Sequence, residues 1–255
     1  MRIIAVIPAR YASTRFVGKP LCDIEGRPMI WWVYHACCQV EEFADVIVAT
    51  DDERIFSVCQ RLDMNVRMTS ATHKTGTDRL CEVAREVPAD LFVNVQGDEP
   101  LLEPNVIRSV IPPFHEDNNL QVCNLMTKID DPCEVVNNTV PKVIVNREGF
   151  GVYLTRAAAP YPKGALDVAY YKQVCVYGFT NEALRFFSDY ATLHGKARNE
   201  EIEDIEILRF IESGIKVRYV EVKTSSIAVD TEKDLEKVRR IVRAGTGNCS
   251  VPGNT

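Results

Sequence analysis

The chain lacks any long uncharged apolar run, and this absence argues against a membrane-spanning helix. No such stretch among its 255 residues approaches the roughly 20 residues that cross a bilayer. The opening segment reaches Pro8 and Arg10 too early for the apolar core of a secretion signal. We therefore expect a cytoplasmic protein with no membrane partner.

Positive charge is also scarce, since 30 Lys and Arg face 36 Asp and Glu, for a formal net charge of −6. This balance argues against a general nucleic-acid partner. The nine cysteines include no C-x-x-C pair, and the four histidines show no H-E-x-x-H spacing. Neither a disulfide framework nor a zinc site is therefore expected.

The first hundred residues alternate short apolar runs with helical patterns. Runs at 2–7, 45–49 and 91–95 are nearly all apolar and predict buried strands. Helices are predicted after Pro28, after Thr50-Asp51-Asp52 and after Thr77-Asp78. This order predicts an α/β fold with a doubly wound, mostly parallel sheet, whose ligands bind beyond the carboxyl ends of the strands.

The pattern changes after about residue 121 and predicts a mixed-sheet lobe over about 121–200. Its strand-like runs lie at 121–126, 141–146, 151–155 and 172–179. The first pattern then returns with a helix at about 200–213, a strand at 216–222 and a helix at 231–243. We expect a single domain over 1–243 and a disordered tail over 244–255, which is rich in Gly, Ser, Asn and Thr.

A cation-rich loop follows the first strand. Arg10, Arg15 and Lys19 could neutralise a triphosphate, while Ser13 and backbone N–H groups could donate to its oxygens. Pro20 follows Lys19, so the loop is not a Walker motif. The alternative is a solvated basic loop without a ligand.

Two aspartates are candidate magnesium ligands. Asp98 follows the most apolar strand in Gln96-Gly-Asp-Glu-Pro100, although the same letters also make an ordinary turn. Asp230 precedes the last helix, where Thr231 and Asp234 form a capping-box-like start that does not need it. An acid near a helix N-terminus is also favourable with no further role.

A loop at 75–79 enters the third helix. Its hydroxyls, its glycine and Arg79 could meet a base or a ribose, but Thr77 or Asp78 could equally be only a helix cap. Trp31, Trp32 and Tyr34 share a helix with apolar residues and are interpreted as core or subunit contacts.

Taken in order, these motifs resemble the CMP-sugar synthetase family. The chain reads I-P-A-R-Y-A-S-T-R-x-x-G-K-P, then T-D-D, T-G-T-D-R, Q-G-D-E-P, Y-L-T-R and V-D-T, over nearly all of 2–243. The resemblance implies a nucleotide-diphospho-sugar transferase fold. It also implies transfer of CMP from CTP to the C2 hydroxyl of a 3-deoxy-2-keto sugar acid, 3-deoxy-manno-octulosonate (Kdo) or a close relative, with release of pyrophosphate.

The resemblance also implies roles for individual residues. CTP contacts are expected at Pro8, Ala9, Arg10, Ser13, Arg15, Lys19, Thr75, Gly76, Thr77 and Arg79. Sugar contacts are expected at Gln96, Arg156, Gln173, Tyr177, Glu203 and Glu206. Asp98 and Asp230 would hold Mg²⁺ and, with Arg10 and Lys19, form the catalytic set. Family members are homodimers built through the later lobe, so a second copy of the chain is an expected partner.

The chain departs from the family pattern at two positions that are expected near the acceptor sugar. A histidine typical of the family is Gln173 here, and a glutamine is Ile207. Histidine can carry a charge that glutamine cannot, and isoleucine has neither donor nor acceptor, so another keto acid, modified or nine-carbon, is an open alternative. A non-catalytic CTP-binding homologue is a further alternative. Enzymes that use sugar 1-phosphates or polyol phosphates are expected to begin L-A-A-G, where this chain has Ile7-Pro-Ala-Arg10.

Overall fold

The computed structural model describes residues 1–12, 16–164 and 168–246. The strands are β1 (Ile3–Ala9), β2 (Asp23–Ile24), β3 (Arg27–Pro28), β4 (Phe43–Thr50), β5 (Val66–Met68), β6 (Leu91–Val95), β7 (Val122–Lys128), β8 (Lys142–Val145), β9 (Gly151–Thr155), β10 (Tyr171–Thr180) and β11 (Val217–Glu221). The helices are α1 (Met29–Cys38), α2 (Glu53–Arg61), α3 (Gly76–Glu86), α4 (Pro104–Arg108), α5 (Pro112–Glu116), α6 (Pro132–Val136), α7 (Asn181–His194), α8 (Arg198–Glu203), α9 (Leu208–Glu212) and α10 (Glu232–Thr246). Within these ranges no helix has the length and apolar character needed to span a membrane.

The central sheet has the order β11-β7-β10-β6-β1-β4-β5, with β8 and β9 branching from β10. The pairs β1–β4, β1–β6, β4–β5 and β7–β11 are parallel. β10 runs antiparallel to β6, β7 and β8. The sheet is therefore mixed but mostly parallel, and the predicted fold class is confirmed.

Both faces of the sheet are covered, which explains the continuous apolar runs of the first strands. Ile3, Ala5 and Ile7 of β1 belong to one core cluster, together with residues of α1. Ile4 and Val6 point into the other cluster, which contains residues of α3 and α7. A strand that is buried on both faces has no polar side to alternate with.

The start of α3 differs from the prediction of a helix after Thr77-Asp78. Thr75 is the N-cap: its hydroxyl accepts from the Asp78 backbone N–H, while the Asp78 carboxylate accepts from the Thr75 N–H. This reciprocal capping starts the helix at Gly76 and places Thr77 inside it. The predicted Thr231–Asp234 pair is confirmed at the start of α10 by the same pair of bonds.

Two other boundaries are corrected. The helix predicted over about 200–213 is two short helices, α8 and α9, because Asp204 adopts a left-handed conformation with φ of 50°. The backbone carbonyls of Glu203 and Asp204 instead accept from the Arg156 guanidinium. Residues 244–246, predicted to begin a disordered tail, belong to α10, and 247–255 lie outside the described residues.

Candidate active site

A cleft of about 310 Å³ opens beyond the carboxyl ends of β1 and β6. These strands are parallel neighbours, but the sheet continues from β1 through β4 and from β6 through β10, so the cleft lies where the strand order reverses. The cleft brings together eleven of the residues predicted from sequence: Pro8, Ala9, Arg10, Lys19, Thr75, Gly76, Arg79, Gln96, Asp98, Glu206 and Asp230. Ser13 and Arg15, also predicted, lie outside the described residues.

Lys19 joins the two candidate metal ligands. It lies in a 3-10 turn, and its Nζ is 2.9 Å from Asp98 Oδ2 and 3.3 Å from Asp230 Oδ1. Burial lowers the pKa of Lys19, but the Asp98 and Asp230 carboxylates outweigh this and hold the pKa above 10.5. The backbone supports the cluster, because the Val229 N–H donates to the Asp98 carbonyl over 2.8 Å. Asp98 and Asp230 lie 79 and 211 positions after Lys19 in the chain, and the three side chains thus form one charged group.

The donor set suits a magnesium ion. Asp98 Oδ1 is buried and has no hydrogen-bond partner among the described residues, so an acceptor lone pair is available there. No group of three or more His, Cys, Asp or Glu that could hold a metal occurs within those ranges. Mg²⁺ is usually held by one or two carboxylates together with water and substrate phosphates, so two aspartates are enough.

Glu99 anchors the loop that carries Asp98, and sequence reasoning gave it no role. It is 6% exposed, and its Oε1 accepts from the Cys175 backbone N–H over 3.3 Å. The Cys175 carbonyl accepts from the Gln96 N–H on the other side. Burial, followed by the charge of Asp98, raises the pKa of Glu99. β10 therefore holds the loop on both sides of Asp98.

Arg79 organises the part of the cleft at the N-terminus of α3. Its side chain is 4% exposed, and its guanidinium contacts the Thr69 hydroxyl and lies 3.2 Å from Asp51 Oδ2. It thus ties α3 to the ends of β4 and β5. Gly76 packs so closely on Pro8 that an added Cβ would lie 3.2 Å from Pro8 Cγ. A larger residue at position 76 would push the two cleft segments apart.

The cleft also contains residues that were not predicted as site residues, although Pro20 and Gly97 stand within the motifs. They are Pro20, His73, Lys74, Gly97, Lys196 and Asp204. Lys196 Nζ is 3.0 Å from Asp204 Oδ1. Lys74 directly precedes the T-G-T-D-R motif and could have been found by extending that motif. Lys196 lies in the turn between α7 and α8, whereas Asp204 lies at the break between α8 and α9.

A family model described as cytidylyltransferase matches residues 4–222. A 3-deoxy-manno-octulosonate cytidylyltransferase of Geobacter metallireducens is 41% identical over 249 residues, which cover 93% of this chain and 96% of that relative. The chain belongs to the cytidylyltransferase family. A relative of the same description from Fusobacterium nucleatum is 37% identical, with 95% of this chain covered and 98% of the relative.

Solved structures agree with the family membership. This cytidylyltransferase resembles a CMP:2-keto-3-deoxy-manno-octonic acid synthetase complexed with CTP, with a TM-score of 0.90 and 38% identity over 96% of this chain and all of that one. A 4-diphosphocytidyl-2C-methyl-D-erythritol synthase of Anaerococcus prevotii is 15% identical with a TM-score of 0.63, over 95% and 99% of the two chains. That second likeness shows the fold alone.

Five residues predicted from sequence do not line the cleft of this cytidylyltransferase: Thr77, Arg156, Gln173, Tyr177 and Glu203. Thr77 is buried and reaches the cleft indirectly, since its N–H donates to Glu206 Oε2 over 3.1 Å. Tyr177 is buried and stacks on Phe179, and burial raises its pKa. Ile207, which replaces a family glutamine, is 2% exposed and packs in the core.

Arg156 and Glu203 form a separate network beside the cleft. Glu203 accepts from the Thr155 hydroxyl and the Arg156 backbone N–H. The Arg156 guanidinium donates to the carbonyls of Glu203, Asp204, Asn138 and Thr139. Buried Lys142 donates to the carbonyls of Asn137, Val140 and Arg156 at 2.7–2.8 Å. Two cations thus hold the 137–140 loop mainly through backbone oxygens.

Proposed function

We propose that this protein transfers CMP from CTP to the C2 hydroxyl of a 3-deoxy-2-keto sugar acid, Kdo or a close relative, and releases pyrophosphate. The observation that carries the proposal is the Lys19–Asp98–Asp230 cluster at the strand-order switch, in the cleft that also contains residues expected to bind CTP and the sugar. The descriptions of the relatives and the CTP complex of the 38% identical structure support it.

The chemistry needs positioning and charge neutralisation more than a protein nucleophile. The new bond joins the sugar oxygen to the α-phosphorus, and the bond from that phosphorus to the leaving pyrophosphate breaks. Arg10 and Lys19 neutralise phosphate oxygens. Asp98 and Asp230 would hold Mg²⁺, which when bound offsets phosphate charge and favours loss of the hydroxyl proton.

Different residues of the cleft would serve the two substrates. Thr75, Gly76 and Arg79 would contact the cytidine part, with Arg79 fixed in place by Asp51. Gln96 and Glu206 line the cleft and would meet sugar hydroxyls. Lys196, also in the lining, would favour an acidic acceptor.

We also propose that residues 1–243 act as one catalytic domain and that a second copy docks through the lobe at about 121–200. Among the described residues of that range, four large apolar side chains are exposed, namely Val136, Val152, Tyr161 and Leu193. If these side chains form one patch, that patch would favour a protein partner.

The test is pyrophosphate release from purified protein with CTP, Mg²⁺ and a panel of 2-keto-3-deoxy sugar acids that includes Kdo. Release with Kdo supports the full proposal, and release only with another acid narrows the acceptor to that acid. CTP binding without release for any acid would contradict the proposal and favour a non-catalytic CTP-binding protein.

A further inference from the structure

The strand β10 is irregular beside Gln96, a residue proposed to bind the acceptor sugar. The inference drawn from this irregularity rests on the proposed function. Its pairing with β7 shifts register between Val174 and Tyr177. The backbone of Cys175, within the irregular segment, holds Gln96 and Glu99 on either side of Asp98. Gln173 lies two residues earlier on the strand, about 7 Å away. Bulges of this kind often lie next to active sites, where they redirect a side chain.

The side chain of Asn124 on β7 fills the irregularity. It is fully buried, and its Nδ2 donates to the Val174 carbonyl over 2.9 Å and to the Val176 carbonyl over 2.8 Å. Both amide hydrogens of Asn124 are therefore used. The flipped amide would set its oxygen against two carbonyl oxygens, so the orientation of Asn124 is fixed by the backbone.

The fixed orientation of Asn124 determines that of Gln173. Asn124 Oδ1 is an acceptor, and Gln173 Nε2 donates to it over 2.8 Å. The Gln173 amide therefore turns its nitrogen toward Asn124 and its Oε1 away from it. Among the hydrogen bonds of the described residues, Gln173 Oε1 accepts none, and the side chain is only half-buried. Gln173 lies outside the cleft lining, and its Oε1 is available to a ligand that extends beyond that lining.

We infer that Asn124 is a positioning residue that fixes the Gln173 amide so that Oε1 accepts a hydrogen bond from a donor group of the acceptor sugar. The matching group on the sugar is a hydroxyl or an amine. A carboxylate, which has no donor, is disfavoured at this position. Acceptor choice is then set by the pair Asn124–Gln173 and not by Gln173 alone.

The first test is Gln173→Met, which removes both amide functions at nearly constant length. We expect KM for the acceptor to rise about tenfold, the value of one hydrogen bond, with KM for CTP within about twofold. The matched control is Gln121→Met, at a half-buried glutamine next to β7, which should change neither constant.

Acceptor analogues identify the donor. Each hydroxyl of the acceptor is replaced in turn by hydrogen or by an amino group, and each analogue is compared in the parent protein and in Gln173→Met. We expect one position at which removal of the donor raises the acceptor KM in the parent but not in the variant. Preference for the amino or the hydroxyl form at that position distinguishes the two donors.

Asn124→Ser tests the positioning step. Because this change also disturbs the backbone around Cys175, its readout is the ¹⁵N side-chain amide signal of Gln173, assigned by its absence in Gln173→Met. In the parent, the amide protons should exchange slowly with solvent, and in Asn124→Ser they should exchange at least about tenfold faster. Fast exchange in the parent would overturn the positioning role.

The outcomes separate the two proposals. Turnover of a sugar acid with an unchanged acceptor KM in Gln173→Met, or with no analogue position coupled to residue 173, overturns this inference alone. CTP binding with no turnover of any acid overturns the proposed function and this inference with it.

Discussion

The carboxylates of Asp98 and Asp230 both form salt bridges with one ammonium group, that of Lys19. Such an arrangement keeps two carboxylates close together before any ligand arrives, because their mutual repulsion is offset by the lysine. A cation that binds the pair then meets ligands that are already in position. Asp98 Oδ1 is buried and has no hydrogen-bond partner in the described part of the chain, so we propose Asp98 as a ligand of the cation.

Replacing Asp98 by Asn tests this role. We expect turnover to fall by about 100-fold or more, because one charged ligand is lost, while CTP affinity measured without metal changes by less than about threefold. Steady-state kinetics and calorimetric titration give the two values. The control Asp130→Asn, at an exposed aspartate, should behave as the parent. Equal losses of turnover and metal-free binding would contradict the assignment.

Glu206 should make stability depend on pH. Burial is the main cause of its raised pKa, although hydrogen bonds from Thr77 oppose it. An acid with a raised folded-state pKa contributes full stability below its ordinary value of 4.5, and that contribution is lost as pH rises through the raised pKa. Glu206→Gln removes this loss. The free energy of unfolding of this variant should therefore rise relative to that of the parent as the pH increases above 4.5.

Urea unfolding at several pH values within this range measures the difference. Glu201→Gln is the matched control, since Glu201 is exposed and lies in the neighbouring helix α8. A constant difference between Glu206→Gln and the parent across the range would show that Glu206 keeps an ordinary pKa.

At the scale of elements, the sequence predicted the strands and helix starts whose pattern is complete within a few neighbouring residues. The apolar runs of β1, β4 and β6 and the capping pair at Thr231 are complete within a few residues, and the structure contains them. The break between α8 and α9 was not predicted, because its cause is the distant guanidinium of Arg156. α7 was missed although Thr180 caps it, since the preceding strand-like pattern suggested that the mixed sheet continued.

The residues of the candidate site also divide into those that a local sequence pattern predicts and those that depend on distant parts of the chain. Residues at strand ends, such as Arg10 and Asp98, could be placed from sequence because parallel strands deliver their ends to one edge. Lys196 and Asp204 could not, since the segments before and after α8, far along the chain, bring them to the cleft. Asn124 was also missed, because a buried amide within a strand has no signature apart from the bulge that it fills.

Lys142 stabilises the loop that surrounds Arg156. Three backbone carbonyls accept from its buried ammonium group, and Lys142→Met would leave them without that donor. We expect a loss of about 2–4 kcal/mol in the free energy of unfolding. The sequence predicts that Arg156 contacts the acceptor sugar, so the acceptor KM should rise more than the CTP KM when the Arg156 carbonyl loses its bond from Lys142. Denaturant unfolding and kinetics measure both effects.

The control for this change is Lys128→Met, at an exposed lysine at the end of β7. It should leave stability within about 0.5 kcal/mol of the parent. Equal stabilities of the Lys142 and Lys128 variants would show that the carbonyls find other partners.

At the scale of the whole molecule, the cleft draws on segments from residue 8 to residue 230. A ligand that contacts these segments binds only the folded chain, so its binding free energy adds to global stability. At a concentration 100 times Kd the gain is about 2.7 kcal/mol, and in a domain of this size each kcal/mol shifts Tm by about 2–4 °C.

CTP with Mg²⁺ should therefore raise Tm by about 5–10 °C at that concentration. CTP with a chelator should give a smaller shift, because the Asp98–Asp230 pair then meets phosphate charge without a cation between them. Differential scanning calorimetry of the parent and Asp230→Asn separates the metal-dependent part, which only the parent should show. A shift that is equal with and without metal would rule out a shared cation at these two aspartates, and an equal shift with ATP would contradict selection of cytidine by the loop at Thr75.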